Sequence, residues 1–354
     1  MEYNETSLWM SRLVERGRDY VGHPFAAALC TMGWIPVVTT LVAVDPAEAS
    51  LTFLVGQALA CLMVVSGPYD VWYYDERLLP QFFDDIELIT AAADRETLQD
   101  LANRYDRFYS RYWWASALVW VVLVLLVFAI GQSYFESQGI TAPVERAAYL
   151  VFFCYWLLIA GLRSHGGLIT VLVIRSFAER VELDIDPLHP DGLGGLSTVG
   201  TFAIRMTLII SLGSLALPLS FQIANHIQYG SVVYAGVALF ILLVALNFFY
   251  PTYKVNRRAQ ELRERMLDSH RERIRKLERR LTLLHSDDDL PDDELAAEDD
   301  ALLEMEIRRA RREFEDYQSV HLYPLSIGII TRLVSSILLP IFFIIFELVI
   351  TGSL

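Results

Sequence analysis

Polar residues that recur at helical spacing inside apolar runs are the places where this chain can do chemistry. The last apolar run carries Arg332, Ser336, Pro340 and Glu347, spaced 4, 4 and 7 residues apart. On a helix they share an arc of roughly 80° and span a rise of about 22 Å. Ionisable groups in a membrane helix are costly and normally face protein or water. In a symmetric assembly, one Glu347 from each subunit would form an acidic ring, which selects cations. A plainer reading stands beside it: Arg332 snorkels to one interface, Glu347 reaches the headgroups of the other, and Ser336 packs.

A second stripe runs Thr207, Ser211, Ser214, Pro218, Gln222, Asn225. Small hydroxyl residues let membrane helices approach closely. Ser211, Ser214, Gln222, Asn225 and His226 would alternatively border a ligand pocket that opens outward. Arg163 and His165, beside Gly166 and Gly167, fall in the inner half of another apolar run and receive no role.

The densest polar loop holds Asp184, Asp186, His189 and Asp191. Three carboxylates and an imidazole can bind a divalent cation. Pro187, Pro190, Gly192, Gly194 and Gly195 equally make it a turn between two helices. The run Asp287, Asp288, Asp289, Asp292, Asp293, Glu294 lacks the glycine and spacing of an EF-hand, and reads as a solvated linker. The chain has no P-loop, dinucleotide fingerprint, nucleophile elbow, His-Glu-x-x-His or Cys-x-x-Cys. No enzyme activity and no cofactor are expected. The last apolar run has no lysine, which excludes a retinal Schiff base there.

The elements that carry these residues follow from composition. Of 354 residues 54% are hydrophobic, and mean hydropathy is +0.36. Soluble domains hold about 45–50% apolar residues. A soluble enzyme and a disordered chain are both excluded. The net charge of −14, with Lys254 and Lys276 the only lysines among 29 basic residues, is the composition of a protein from a high-salt cytoplasm. It also argues against nucleic-acid binding. Cys30, Cys61 and Cys154 lie inside apolar runs and make no disulfide framework.

A spanning helix needs about 20 mainly apolar residues. Seven segments qualify: 24–44, 51–70, 114–131, 147–174, 199–224, 229–250 and 325–350. Ser66, Gly67, Pro68 and Asp70 crowd the end of the second. The loops on one side of such a bundle carry 25 Lys and Arg, and the opposite loops only Arg146. The positive-inside rule then sets the N-terminus in the cytoplasm and the C-terminus outside the plasma membrane.

The expected fold is all-α: a polytopic membrane protein with seven transmembrane helices and a cytoplasmic helical bundle. Residues 1–23 form a cytoplasmic segment, and 24–250 hold six helices with a helical extension over 71–113. Leu98, Leu101, Tyr105, Phe108 and Tyr112 give that extension an apolar stripe leading into the third span. Residues 251–322 form a helical hairpin. Its first arm repeats Leu267, His270, Ile274, Leu277, Leu281 and Leu284, and its second Leu303, Ile307, Ala310, Phe314, Tyr317 and His321. An acidic linker over 286–300 joins the arms. Residues 323–354 hold the seventh helix and an external C-terminus.

Seven helices, an inside N-terminus, short outer loops and a large inner helical region before the last helix are a distinctive set. The arrangement resembles the seven-transmembrane ion channel superfamily that includes insect odorant and gustatory receptors. The likeness covers nearly the whole chain and lies in topology; the gustatory Thr-Tyr…Gln-Phe signature has no counterpart in Ile341 to Leu348. With the high-salt composition, it implies a prokaryotic, haloarchaeal member assembled as a tetramer through its inner helices, with the last helix lining the pore and a small-molecule pocket among the others. Its partners would be the lipid bilayer and copies of itself. A channel-like protein is therefore expected, with a secondary transporter or a scaffold working through the hairpin as the alternatives.

Overall fold

A computed structural model describes residues 7–181, 197–286 and 294–319, together with position 342. The described residues are helical and contain no β-strand. Six helices are long and apolar enough to cross a membrane. By that length and composition the chain is a membrane protein. The six match the first six expected spans, and the seventh, 325–350, lies outside the described residues.

Helix α1 (Trp9–Val21) is amphipathic, with Met10 and Val14 buried and Arg12 and Arg16 exposed. Gly22 ends it at φ 79°, the left-handed conformation that glycine adopts without strain. Its residues belong to the expected cytoplasmic N-terminal segment, for which the sequence reading assigns no packing. The helix instead docks on the bundle: the Leu8 amide donates to Asp75 Oδ2 at 2.9 Å, and Trp72 Nε1 donates to Glu15 at 2.9 Å.

Helix α2 (Pro24–Ala43) starts with proline in its first turn, where no amide partner is needed. Helix α3 (Leu51–Glu87) starts at Ser50, whose hydroxyl accepts from the Phe53 amide. It does not stop at the polar cluster near residue 70. It runs through Pro68 and takes a π-turn at Tyr74–Leu78 before continuing to Glu87. The polar residues that looked like a helix end are bonded inside the bundle, so the helix continues through them.

Helix α4 (Ala92–Ile130) is one continuous rod, as the apolar stripe leading into the third span requires. Leu98, Leu101, Tyr105 and Tyr109 are buried, whereas Leu118, Val119, Val122, Leu125 and Leu126 are exposed. That exposed apolar face is what a lipid-facing helix presents. Helix α5 (Pro143–Arg180) packs against it closely at Gly161, where a Cβ would come within 2.5 Å of the Ala117 Cα. The Glu145 carboxylate caps α5 by accepting from the Thr141 and Ala142 amides at 2.8 and 2.7 Å.

Helix α6 (Ser197–His226) is broken in the middle by a 3-10 turn at Leu212–Ala216. Pro218 explains it: the ring lacks an N–H and crowds the carbonyl four residues earlier. Ser211 and Ser214 donate to the carbonyls of Leu208 and Ser211 near the break, at 2.9 and 2.6 Å. In the apolar windows of α5 and α6, 67% and 72% of the residues are buried, against 17% in α4. These two helices form the centre.

Helix α7 (Gly230–Ser286) is one unbroken helix of 57 residues, about 85 Å long. Its apolar first part packs on α5 and α6, and Lys254 ties it to Glu179 of α5 at 2.9 Å. Its polar second part pairs with α8 (Glu294–Ser319). Leu277, Ile307 and Ala310 are buried between the arms, flanked by Ile274, Leu281 and Leu303. These are six of the heptad positions. Helix α8 begins at Glu294, inside the stretch expected as linker, where an acidic first turn suits the helix dipole.

Candidate functional site

The site grows from Arg163, 20 residues into α5 and so about 30 Å from its start. Its side chain is buried, and a guanidinium cannot shed its proton to escape the desolvation. Helix α3 supplies the compensation. Nη2 of Arg163 donates to the Asp70 carboxylate, to Ser66 Oγ at 2.9 Å and to the Met63 carbonyl at 3.1 Å. Ser66 Oγ also lies 3.2 Å from Asp70 Oδ2 and holds that carboxylate in place. Among the described residues, Nε and Nη1 of Arg163 have no hydrogen-bond partner.

Arg163 stands in the wall of an apolar chamber between α3, α4, α5, α6 and α7. Its cavity volume is about 100 Å³. Ligand pockets are mostly apolar with a few placed polar groups. Trp120, Trp156 and Phe240 supply aromatic walls, and Gly213, Ala216 and Leu217 bring the broken stretch of α6 to it. Irregular backbone at membrane depth is tolerated where it borders a cavity. Ser220 also borders the chamber, but its hydroxyl is bonded to the Ala216 carbonyl at 2.8 Å.

Two residues beyond Arg163, His165 stacks on Phe108 and Tyr109 with centroids 5.8 and 5.6 Å away. Its Nδ1 lies 3.1 Å from Ser116 Oγ. Farther along α5, Thr170 bonds Tyr74 at 3.2 Å and Ser176 bonds Tyr105 at 2.6 Å. These contacts fasten α5 to α3 and α4 and fix the wall from which Arg163 projects.

The structure places the five expected pocket residues away from this chamber, which uses a different set of α6 positions. Ser211 and Ser214 bond back to their own helix. Gln222 Nε2 donates to the Thr52 carbonyl at 2.8 Å. Asn225 accepts from Tyr234 at 2.6 Å, and His226 stacks on Tyr134 at 4.9 Å. The expected pore residues Arg332, Ser336, Pro340 and Glu347 lie outside the described residues. So do Asp184, Asp186, His189 and Asp191. Among the described residues no cluster has the makings of a metal site.

The pair Asp70–Arg163 carried a signal that spacing analysis passed over: opposite charges in two different apolar segments. Two such charges are expected to meet, because neither is tolerated alone in a low-dielectric bundle. Compared with known proteins, the chain matches no family model, no curated protein and no solved structure.

Proposed function

We propose that this chain is a ligand-gated, channel-like protein of the plasma membrane, assembled from identical subunits, with the seventh apolar segment lining a cation path. The observation that carries the reading is the continuity of α7. Val233, Val237 and Phe240 wall the chamber, and the same unbroken helix becomes the first arm of the hairpin. The second arm leads to the segment holding Arg332, Ser336, Pro340 and Glu347. A chamber occupant that prefers one tilt of α7 biases the hairpin, and through it the last segment. The N-terminus and the hairpin would be cytoplasmic and the C-terminus outside, as the Lys and Arg distribution favours. The topological likeness to the seven-transmembrane ion channel superfamily points the same way. Reconstitution in planar bilayers tests it: Glu347→Gln should reduce cation over anion selectivity, and unchanged selectivity would remove the acidic ring.

One observation favours a second reading, a secondary transporter. Helix α6 breaks at Leu212–Ala216 where it borders the chamber, and broken helices at a central site are a transporter device. Solute uptake into proteoliposomes without a conductance would select this reading.

A further inference from the structure

We infer that the chamber admits the end of one lipid acyl chain, which enters sideways from the bilayer between α4 and α7. The inference rests on the reading that the chamber takes a ligand, and it names that ligand's chemistry and its route.

Position gives the route. Trp120, Leu123 and Val127 of α4 border the chamber, and so do Val233, Val237 and Phe240 of α7. Of the six spans these two have the least buried apolar windows, at 17% and 22%. Leu118, Val122 and Leu125 of α4 are exposed, as are Leu239, Leu242 and Leu246 of α7. Outside such faces lies hydrocarbon, not water. The chamber is partly open to those surroundings. At the seam, a Cβ on Gly236 would lie 2.9 Å from Leu123 Cδ2, so the obstacle between the helices is the free end of one flexible side chain.

Size and polarity give the occupant. The cavity holds about 100 Å³. An apolar cavity of about 150 Å³ stays dry and takes one benzene ring. This smaller one takes a few methylenes and no headgroup. Two polar residues of its wall offer no bond. Ser220 donates to the Ala216 carbonyl, Nη2 of Arg163 donates to Asp70, and Nε and Nη1 of Arg163 are sealed within protein. Water would find too few partners there. A chain end leaving the bilayer loses no hydration, and it gives Trp120, Trp156 and Phe240 contacts that the empty space withholds.

The test uses the full chain in phosphatidylcholine nanodiscs with two photoreactive lipids, one carrying a diazirine at its chain end and one beside the ester carbonyl. A small free probe, trifluoromethylphenyl diazirine, is run beside them, and labelled peptides are mapped by mass spectrometry. Both lipids should label the exposed surface of the bundle. Only the chain-end lipid should label Met63, Leu157 and Leu217, which line the chamber and are at most 3% exposed. Val237→Phe, which fills the chamber, should lower that inner labelling about tenfold, equivalent to about 1.4 kcal/mol, and leave the outer labelling unchanged. Leu123→Ala, which clears the seam, should raise it. If Val237→Phe does not fold, the comparison of the two lipids on the unaltered chain decides.

Chain-end labelling confined to the exposed faces, with the free diazirine reaching the inner walls, would overturn the inference and leave the chamber as a site for free apolar molecules. Inner labelling that a folded Val237→Phe leaves unchanged would also overturn it, because the chain would then reach those residues by another way. Inner walls that no probe reaches would show that the chamber takes no ligand, and the underlying reading would fail with the inference.

Discussion

The bundle and the hairpin hold themselves together in opposite ways. In the bundle, one charged pair is buried among the described residues: Arg163 and Asp70 have side chains 3% and 9% exposed. In the hairpin, pairs are many and open to solvent, as in Arg311–Glu278 and Arg308–Glu304, and only a thin apolar seam lies between the arms. An isolated buried charge has no water to fall back on, whereas an exposed pair exchanges one polar surrounding for another. The same chain thus uses ionic contacts as a positional constraint in one region and as a solvated coat in the other.

Breaking the buried pair should give the largest effect. Asp70→Leu leaves Arg163 uncompensated and should cost about 3–5 kcal/mol. Arg163→Met/Asp70→Leu should recover most of it, read as thermal unfolding in nanodiscs. If the single and double variants melt alike, the bundle does not depend on charge compensation. Next comes Leu277→Ala in the hairpin seam, expected to cost about 2 kcal/mol locally. Proteolysis should then cut α7 and α8 faster while the bundle's melting point stays put. A matching fall in bundle stability would mean that the two regions unfold as one.

An effect of the same order is expected where α1 joins the bundle. Asp75→Ala leaves the buried Leu8 amide without its acceptor, for about 1–3 kcal/mol. Hydrogen exchange should rise across Trp9–Val21 and nowhere else. Smallest of all, Arg311→Ala removes an exposed contact to Glu278 and should shift stability by under about 1 kcal/mol, less still at high salt. A larger loss would show that the hairpin's charges act as a network.

The spans were legible because length and apolarity are written directly in the residues. Leu51 and the residues after it announce a helix, and α4's stripe of Leu98, Leu101 and Tyr105 announces its extension. The heptads of Leu277 and Ile307 foretold the seam between the arms. The site was harder to read. Ser66, Pro68 and Asp70 look like the end of a helix until a partner from 93 residues away satisfies the carboxylate. On α6, the polar stripe attracts notice because it is polar, yet Ser211 and Ser214 are occupied by their own backbone. The chamber lies among residues such as Gly213, Ala216 and Leu217, whose types carry no chemical signal. Periodicity gives a residue's own helix and face, but not what stands opposite.

A pore lined by the last segments of several subunits requires an oligomer around a shared axis, so subunit number is the decisive quantity. Size-exclusion chromatography with light scattering, on detergent-purified protein in high salt, should give a tetramer. A stable monomer that still binds its ligand would contradict a pore built from the last segments of several subunits.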